Sequence, residues 1–529
     1  MNKALLKSFF YSADSIIFVL LLVAGIVFTA GFEDSFDISL YDESAYLYSG
    51  VNFFKASAPR QVEWETVGGG VVGLPPLEWA PLYSLWYYVI SIFQPDRIGL
   101  FFFNFRLLTI IPPVIFYILF RSYGVSAVTS AAASSIFIFT PANYSIAPKV
   151  SHFALCVILS ATALAGRTSS ILSAVLVSLF GAMMVTLIRP EYCLSFFISL
   201  VLFIMLLFFE RQALSKRKAI VLITCALAFT IIFIAMVNIL IHGERSMCAF
   251  GQHFSYNWLK SKHFIMDHWT EWKEVMATVF SGADSVAEAF YNNPAAFLCH
   301  MADNENELIG KIPVFSIVVI ACSFIYYYPR VRSNFFEYRN FLVLCCIFII
   351  PGIVSTIVIF PREHYLLLSG GLVAAVSIVL LFSDISGRSK PLIEKLVPLL
   401  LIAIAMIPFL RFVNEKLPRP NLETIKAIRT LKITVPVNLL EAEGGYDIYL
   451  GDNYRRVAQY SKNQNFNRFM VERKINMIVI SNVFQKDVRY REDREWRRFV
   501  KNCTSLGFVK VCVPNSNRTL IVKSELLYR

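Results

Sequence analysis

The stretch SIIFVLLLVAGIVFTAGF, residues 15 to 32, contains no charged side chain and follows Lys3 and Lys7. A helix of this length and apolar character can cross the ~30 Å hydrocarbon core of a bilayer. A signal sequence has the same layout, but no small-residue cleavage site follows this stretch. We therefore predict an uncleaved membrane span whose N-terminus lies in the cytoplasm.

The rest of the chain is also strongly apolar. Of its 529 residues, 56% are hydrophobic and 16% are charged, and the mean hydropathy is +0.58. Water-soluble domains do not normally have this composition, so we predict a polytopic α-helical membrane protein. With the first run, about eleven runs are long enough to span the bilayer. The others are 99–120, 125–142, 150–166, 170–188, 192–209, 219–241, 312–328, 340–360, 366–383 and 392–411.

Lys and Arg residues lie in alternate loops, which predicts the orientation of the chain. With a cytoplasmic N-terminus, the inside loops carry Arg121, Arg167 and the basic runs 210–218, 329–339 and 386–390. This distribution obeys the positive-inside rule. The loops at 33–97 and 242–311 are then extracytoplasmic, and an odd number of spans places the C-terminus on that side as well.

The chain divides into a membrane domain, residues 1–411, and a C-terminal domain, residues 412–529. The latter alternates β-like runs with polar helical runs, which is typical of a small α/β domain. The predicted strands are 446–452, 475–482, 508–514 and 519–524, and the predicted helices are 453–474 and 491–507. In the first loop, helices are expected at 43–55 and 81–93. The second is too short to span the bilayer and is suited to lie at the membrane interface.

The C-terminal domain is basic. Residues 412–529 hold 22 Lys and Arg against 12 Asp and Glu. For a domain tethered to a bilayer, lipid headgroups or a phosphorylated lipid are more economical partners than nucleic acid, and no nucleic-acid partner is predicted.

Charged and polar residues gather where the predicted spans and loops meet on the extracytoplasmic side. Each one alone is readily explained as an interfacial anchor. Together they predict a site that holds a phosphate and accepts a proton. The acidic members are Asp42, Glu43, Glu78 and Glu191, and the others are Arg189, Arg245, His253, Arg362, His364 and Tyr365.

Several other functions lack sequence support. The chain has no phosphate-binding GxxxxGK[ST] loop, no GxGxxG after a strand, no HExxH and no CxxC. Cys248 with Cys299, and Cys503 with Cys512, lie in polar segments and are candidate disulfides, but spacing alone does not establish pairing.

The order and spacing of several motifs resemble the GT-C superfamily of integral-membrane glycosyltransferases. These motifs are DESAYLYSGVNFF (42–54), LPPLEWAPLYSLWYYVISIF (74–93), NFRLLTIIPPVIFYILFRSYG (104–124), LIRPEYCL (187–194) and PREHYLLL (361–368). They are most similar to the branch of protein O-mannosyltransferases and lipid A aminoarabinose transferases. The sequence departs from that branch in LEWAPLY, where Lys-Pro-Pro-Leu-Tyr is common, and in a longer loop at 242–310.

The resemblance implies a multi-pass enzyme of a cell membrane, most simply a bacterial inner membrane. It implies a polyprenyl-phosphate-linked sugar donor and a hydroxyl acceptor on a lipid, glycan or protein. Inverting transfer needs one carboxylate to take the hydroxyl proton, while cations stabilise the leaving phosphate. Asp42 is the candidate base, and Glu43 or Glu78 is expected to orient it or to hold a divalent cation. No cofactor is certain, and Asp42 and Glu78 are candidates to hold a divalent cation.

Two other classes stay open at this point. One is a polymerase or ligase for lipid-linked polysaccharide. The other is a lipid or glycan transporter, which would bury ionisable groups near the middle of its spans and show paired halves. The predicted spans are almost free of such charges. Both this scarcity of charges and the resemblance to glycosyltransferases favour a transferase.

Overall fold

Most of the described chain is helical, with a small sheet near the C-terminus. The computed structural model describes residues 13–38, 41–54, 63–65, 71–73, 80–144, 149–168, 170–210, 215–241, 245–262, 271–311, 338–360, 363–383, 418–451, 454–457, 465–491 and 493–527, together with 403, 407 and 410.

The helices are numbered here in chain order. They are α1 Ala13–Ala30, α2 Phe32–Ser35, α3 Tyr41–Val51, α4 Pro81–Ser91, α5 Arg97–Ser122, α6 Ala127–Ile138, α7 Pro141–Tyr144, α8 Val150–Ala165, α9 Ile171–Thr186, α10 Cys193–Glu210, α11 Lys216–Ile241, α12 Arg245–Lys262, α13 Trp272–Phe280, α14 Val286–Asn292, α15 Pro294–Lys311, α16 Arg339–Val358, α17 Glu363–Phe382, α18 Pro420–Thr430, α19 Tyr446–Leu450, α20 Phe466–Glu472, α21 Asn482–Lys486, α22 Val488–Arg491 and α23 Arg494–Asn502. The strands are β1 Glu63–Glu65, β2 Val71–Gly73, β3 Val437–Leu440, β4 Tyr454–Val457, β5 Met477–Ile480, β6 Phe508–Cys512 and β7 Thr519–Lys523.

The chain forms two compact units, each built from three separate segments. The membrane unit comprises Met1–Phe32, Asn104–His242 and Met301–Lys416. The loop–tail unit comprises Glu33–Phe103, Gly243–His300 and Leu417–Arg529. The predicted domain boundary at 411/412 lies outside the described residues.

The membrane unit contains helices that can cross a bilayer, so the protein is a multi-pass membrane protein. Among the described residues, five helices have the length and composition needed to cross a membrane: α1, α5, α10, α11 and α16. The predicted spans fall on these and on the shorter helices α6, α8, α9 and α17. The predicted spans 312–328 and 392–411 lie outside the described residues, so the total of eleven stays a prediction.

Small residues allow the membrane helices to pack closely. A Cβ added at Gly181 would lie 2.6 Å from the Cβ of Ala161, and one at Gly352 would lie 2.4 Å from Ser369 Oγ. Close approach of this kind favours helix association in lipid, where burying apolar surface gives no gain. Helices α10 and α11 carry exposed apolar side chains such as Phe208 and Ile231, which suit contact with lipid tails.

The C-terminal part of the loop–tail unit contains a five-stranded sheet in the order β4-β3-β5-β7-β6. Strand β3 is parallel to β4 and β5, and β7 is antiparallel to β5 and β6. The buried strand β5 lies at its centre, and aromatic residues of α20 and α23 pack in the adjoining core. The predicted strands at 475–482, 508–514 and 519–524 are present, as is the helix within 491–507.

Two sequence predictions for this domain are wrong. Residues 446–452 were expected to form a strand, but they contain the short helix α19. Its residues Tyr446 to Tyr449 are all buried. A segment buried on every side shows no regular alternation of apolar and polar residues, so its sequence does not distinguish a helix from a strand. Residues 453–474 were expected to be one helix, but they contain strand β4 and helix α20.

The first loop packs on the C-terminal domain within the loop–tail unit. The Asn421 side-chain amide donates to the carbonyl oxygen of Ile38 at 2.7 Å, and the Ile38 amide donates to the Tyr449 hydroxyl at 3.1 Å. Direct hydrogen bonds require both segments to lie on the same side of the membrane. That this side is extracytoplasmic stays a prediction.

Candidate active site

Helix α3 carries the acidic pair that the sequence analysis selected. Asp42 belongs to this helix, but its side chain lies outside the described residues. Glu43 is 2% exposed, and its Oε1 accepts hydrogen bonds from the hydroxyls of Tyr83 and Tyr87, each at 2.5 Å. The expected helix at 43–55 is therefore present as Tyr41–Val51, and one of its carboxylates is firmly held.

The two tyrosines reach Glu43 because of how α4 begins and packs. Pro81 occupies the first turn of α4, a position that proline favours. Tyr83 and Tyr87 are four residues apart, so their side chains lie on the same helix face. At Gly50 a Cβ would lie 2.3 Å from the Cβ of Tyr87, so only glycine permits this approach of α3 to α4.

The two hydrogen bonds hold the Glu43 carboxylate in one position. Both donors act on Oε1, so the lone pairs of this oxygen are occupied by the two tyrosine hydroxyls. Fixed donors also define the position of the carboxylate within the fold. The orienting role of Glu43 and the role of Asp42 as the base stay predictions.

Two candidate metal ligands lie outside the described part of the chain. They are Glu78 and the Asp42 side chain. Within the described part of the chain, no group of three or more His, Cys, Asp and Glu residues is arranged to hold a metal ion. The divalent cation stays a prediction.

A buried basic cluster lies in the membrane unit at the start of α8. We define it as Lys149, His152 and Arg189. Arg189 is 5% exposed, and its Nη2 donates to Ser151 Oγ at 2.5 Å. Its Nη1 lies 3.7 Å from Glu191 Oε1, so the predicted pair Arg189 and Glu191 is brought together.

The other two members of the cluster are equally buried. Lys149 and His152 are each 1% exposed, and Lys149 Nζ lies 3.4 Å from His152 Nε2. Lys149 Nζ also donates to the carbonyl oxygen of Asn143 and lies 4.2 Å from the centroid of the Phe105 ring. The positive end of the α8 dipole adds to this local potential.

Burying two cations in a membrane-spanning unit carries a desolvation cost, which Glu191 offsets in part and a bound anion would offset further. The cluster is therefore a candidate site for a phosphate. Sequence reasoning found Arg189 but missed Lys149 and His152. The signal was present in PKVSH, residues 148–152, directly before an apolar run, where a cation is easily dismissed as an interfacial anchor.

The remaining predicted site residues are only partly described. His253 is buried within α12 of the loop–tail unit. Arg245 belongs to α12, and His364 and Tyr365 belong to α17, but these three side chains lie outside the described residues, as does Arg362. Neither candidate disulfide is formed, since Cys299 and Cys512 are free thiols.

The same unit contains a second buried histidine that sequence reasoning did not select. His300 Nδ1 lies 3.1 Å from the Asn257 amide nitrogen, and the rings of Phe250 and Phe254 pack edge-on against the imidazole. Aromatic contacts on two sides explain this histidine as part of the packing of α12 and α15.

Comparison with known proteins gives distant similarities. No family model matches the sequence, and no curated protein does. Among solved structures, the chain is similar to the archaeal oligosaccharyltransferase AglB from Archaeoglobus fulgidus in complex with an inhibitory peptide and a dolichol-phosphate. The identity is 10%, the match covers 87% of this chain and 69% of that chain, and the TM-score is 0.42. It is also similar to ArnT from Cupriavidus metallidurans in the apo state, with 11% identity, coverage of 98% and 100%, and a TM-score of 0.40. Neither the fold nor the reaction of this chain follows from TM-scores of this size.

Proposed function

We propose that this protein is an inverting glycosyltransferase that moves a sugar from a polyprenyl-phosphate donor to a hydroxyl acceptor on the extracytoplasmic face of a cell membrane. The observation that supports it most is the basic cluster of Lys149, His152 and Arg189, buried at the ends of apolar helices. A donor anchored by its lipid tail brings its phosphate to the membrane, where buried cations would bind it strongly.

The chemistry assigns a role to each group. The acceptor oxygen attacks the anomeric carbon, its proton passes to a carboxylate, and the bond from that carbon to the phosphate oxygen breaks. The electron pair leaves with the phosphate, where cations stabilise it. Asp42 is the proposed base and Glu43 the orienting carboxylate. The basic cluster, with Arg362 as a further candidate, stabilises the leaving phosphate.

The test uses purified full-length protein in lipid nanodiscs with a radiolabelled polyprenyl-phosphate sugar and candidate acceptors. Wild-type protein is expected to transfer label to a lipid, glycan or protein hydroxyl. Asp42→Asn should lower the rate by about 10²- to 10⁴-fold, because an amide keeps the shape but cannot accept the proton. The matched control is Asp34→Asn, an exposed carboxylate of the same loop.

Two results would contradict the proposal. Normal transfer by Asp42→Asn would remove the base from this position. In proteoliposomes, movement of intact labelled lipid across the bilayer without sugar transfer would identify a transporter instead.

A further inference from the structure

Helix α18 of the C-terminal domain begins without a cap from its own segment. Its N-cap residue, Arg419, makes no side-chain capping bond. Instead, Asp37 of the first loop accepts hydrogen bonds from the backbone amides of Asn421 at 2.6 Å and Leu422 at 3.2 Å. A carboxylate in this position satisfies otherwise unpaired amides and complements the helix dipole. The first loop therefore supplies the cap of a helix 384 residues away.

The backbone next to Asp37 is held as well. Arg419 donates from its guanidinium to the carbonyl oxygens of Glu33 at 2.8 Å and Asp34 at 3.1 Å. Gly445 has a φ of 87°, and a Cβ there would lie 2.3 Å from the Ile38 carbonyl oxygen. Together with the Ile38 bonds to Asn421 and Tyr449, these contacts form what we call the first-loop junction, residues 33–38 against 419–422, 445 and 449.

A second contact holds the far end of α3. The Tyr48 hydroxyl donates to the carbonyl oxygen of Asp447 at 2.9 Å and accepts from Arg97 Nη1 at 3.3 Å. Tyr48 lies five residues after Glu43 in the same helix. The C-terminal domain thus contacts the chain just before α3 and near the end of α3, on both sides of the acidic pair.

We propose that the C-terminal domain acts as a positioning element for the acidic helix α3, with Asp37 as the positioning residue. This inference rests on the proposed function, in which α3 carries the base. The domain holds α3 against α4, so that Glu43 stays between Tyr83 and Tyr87. It thereby affects the rate of transfer through the placement of α3, without itself contacting the donor phosphate.

The first test is Asp37→Asn in the full-length protein, with hydrogen exchange followed by mass spectrometry. An amide keeps the size of Asp37 but loses the charge that complements the α18 dipole. We expect exchange over residues 41–51 to rise at least tenfold, while exchange in β5 stays unchanged. In the transfer assay, kcat should fall about tenfold with the KM for the donor unchanged. Asp493→Asn, which alters the cap of α23 within the C-terminal domain, is the matched control.

Tyr48→Phe provides a milder variant in case Asp37→Asn does not fold. It removes one hydrogen bond and keeps the ring, so a smaller rise in exchange, confined to the last turn of α3, is expected. Unchanged exchange over 41–51 in both variants would overturn the inference, as would an equal rise in β5, which would indicate general destabilisation. The exchange result does not depend on transfer, so an inactive wild-type protein would reject the proposed function without deciding this inference.

Discussion

The C-terminal domain and the membrane unit bury arginine in different ways. In the C-terminal domain, Arg456 Nε lies 2.5 Å from Glu441 Oε1, and Arg518 pairs with Glu443. In the membrane unit, the short hydrogen bond of Arg189 goes to the neutral hydroxyl of Ser151, with Glu191 at 3.7 Å. A close carboxylate fixes an arginine within the framework, whereas Arg189 is shared between a hydroxyl and a carboxylate at a longer distance. We interpret the first arrangement as structural, and the proposed function assigns the second to phosphate binding.

The largest expected effect on stability comes from breaking one of the close Arg–Glu pairs of the C-terminal domain. Arg456→Ala leaves Glu441 buried without its close partner, which should lower the free energy of unfolding by about 3–5 kcal/mol. Hydrogen exchange in β3 and β5 of the full-length protein measures this loss. Arg468→Ala is the control, because its pair with Glu472 is exposed and exposed pairs contribute little to stability. A similar loss of stability in both variants would contradict the view that the buried pair stabilises the domain more than the exposed pair.

Asp447, a fully buried carboxylate of the C-terminal domain, predicts a dependence of stability on pH. Within the described chain, neither oxygen of Asp447 has a hydrogen-bond partner, and burial raises its pKa from 3.8 to about 7. Between these values the folded state holds a proton that the unfolded state has lost, so stability falls as pH rises from about 4 to about 7. Asp447→Asn should remove this slope and raise stability at pH 7 by on the order of 4 kcal/mol. Thermal unfolding between pH 4 and 8 measures both changes, and an unaltered slope would refute the assignment.

Removing a cation from the basic cluster should affect binding more than stability. Lys149→Met deletes a buried charge, so protein yield and thermal stability should be unchanged or higher. If the cluster binds the donor phosphate, kcat/KM for the lipid-linked donor should fall about 10- to 100-fold, with the acceptor KM nearly constant. Lys218→Met, at an exposed position at the start of α11, is the control. A marked loss of stability with normal use of the donor would mean that Lys149 stabilises the fold and does not bind the donor.

The smallest effect is expected in the hydrogen bonds to Glu43. Tyr87→Phe removes one of two hydroxyl donors, and Tyr83 still holds the same carboxylate oxygen. We expect kcat to fall about three- to tenfold, since the second donor remains and a typical hydrogen bond contributes about 0.5–1.5 kcal/mol. Tyr88→Phe, on the next residue of α4, should have no effect. A loss of 100-fold or more would mean that Glu43 itself takes part in proton transfer.

The sequence analysis succeeded where a local pattern carries the information. Uninterrupted apolar runs locate the described membrane helices, and β-branched runs locate β5, β6 and β7. It failed at α19, because a segment buried on all sides shows no period. It could not find the bond from Asp37 to α18, because a single sequence does not reveal contacts between distant segments. Lys149 and His152 were missed because the same sequence pattern fits both an exposed anchor and a buried cluster.

The first-loop junction also determines when the protein can finish folding. Asp37 and Asn421 are 384 residues apart. At about 5–20 residues per second, the ribosome needs roughly 20 to 80 s to make the intervening chain. During that time, α3 has emerged without the domain that holds it, while the helices between are entering the membrane. Completion of the C-terminal domain therefore serves as a late assembly step, and chains that stop before it should keep the acidic pair but lack a fixed α3.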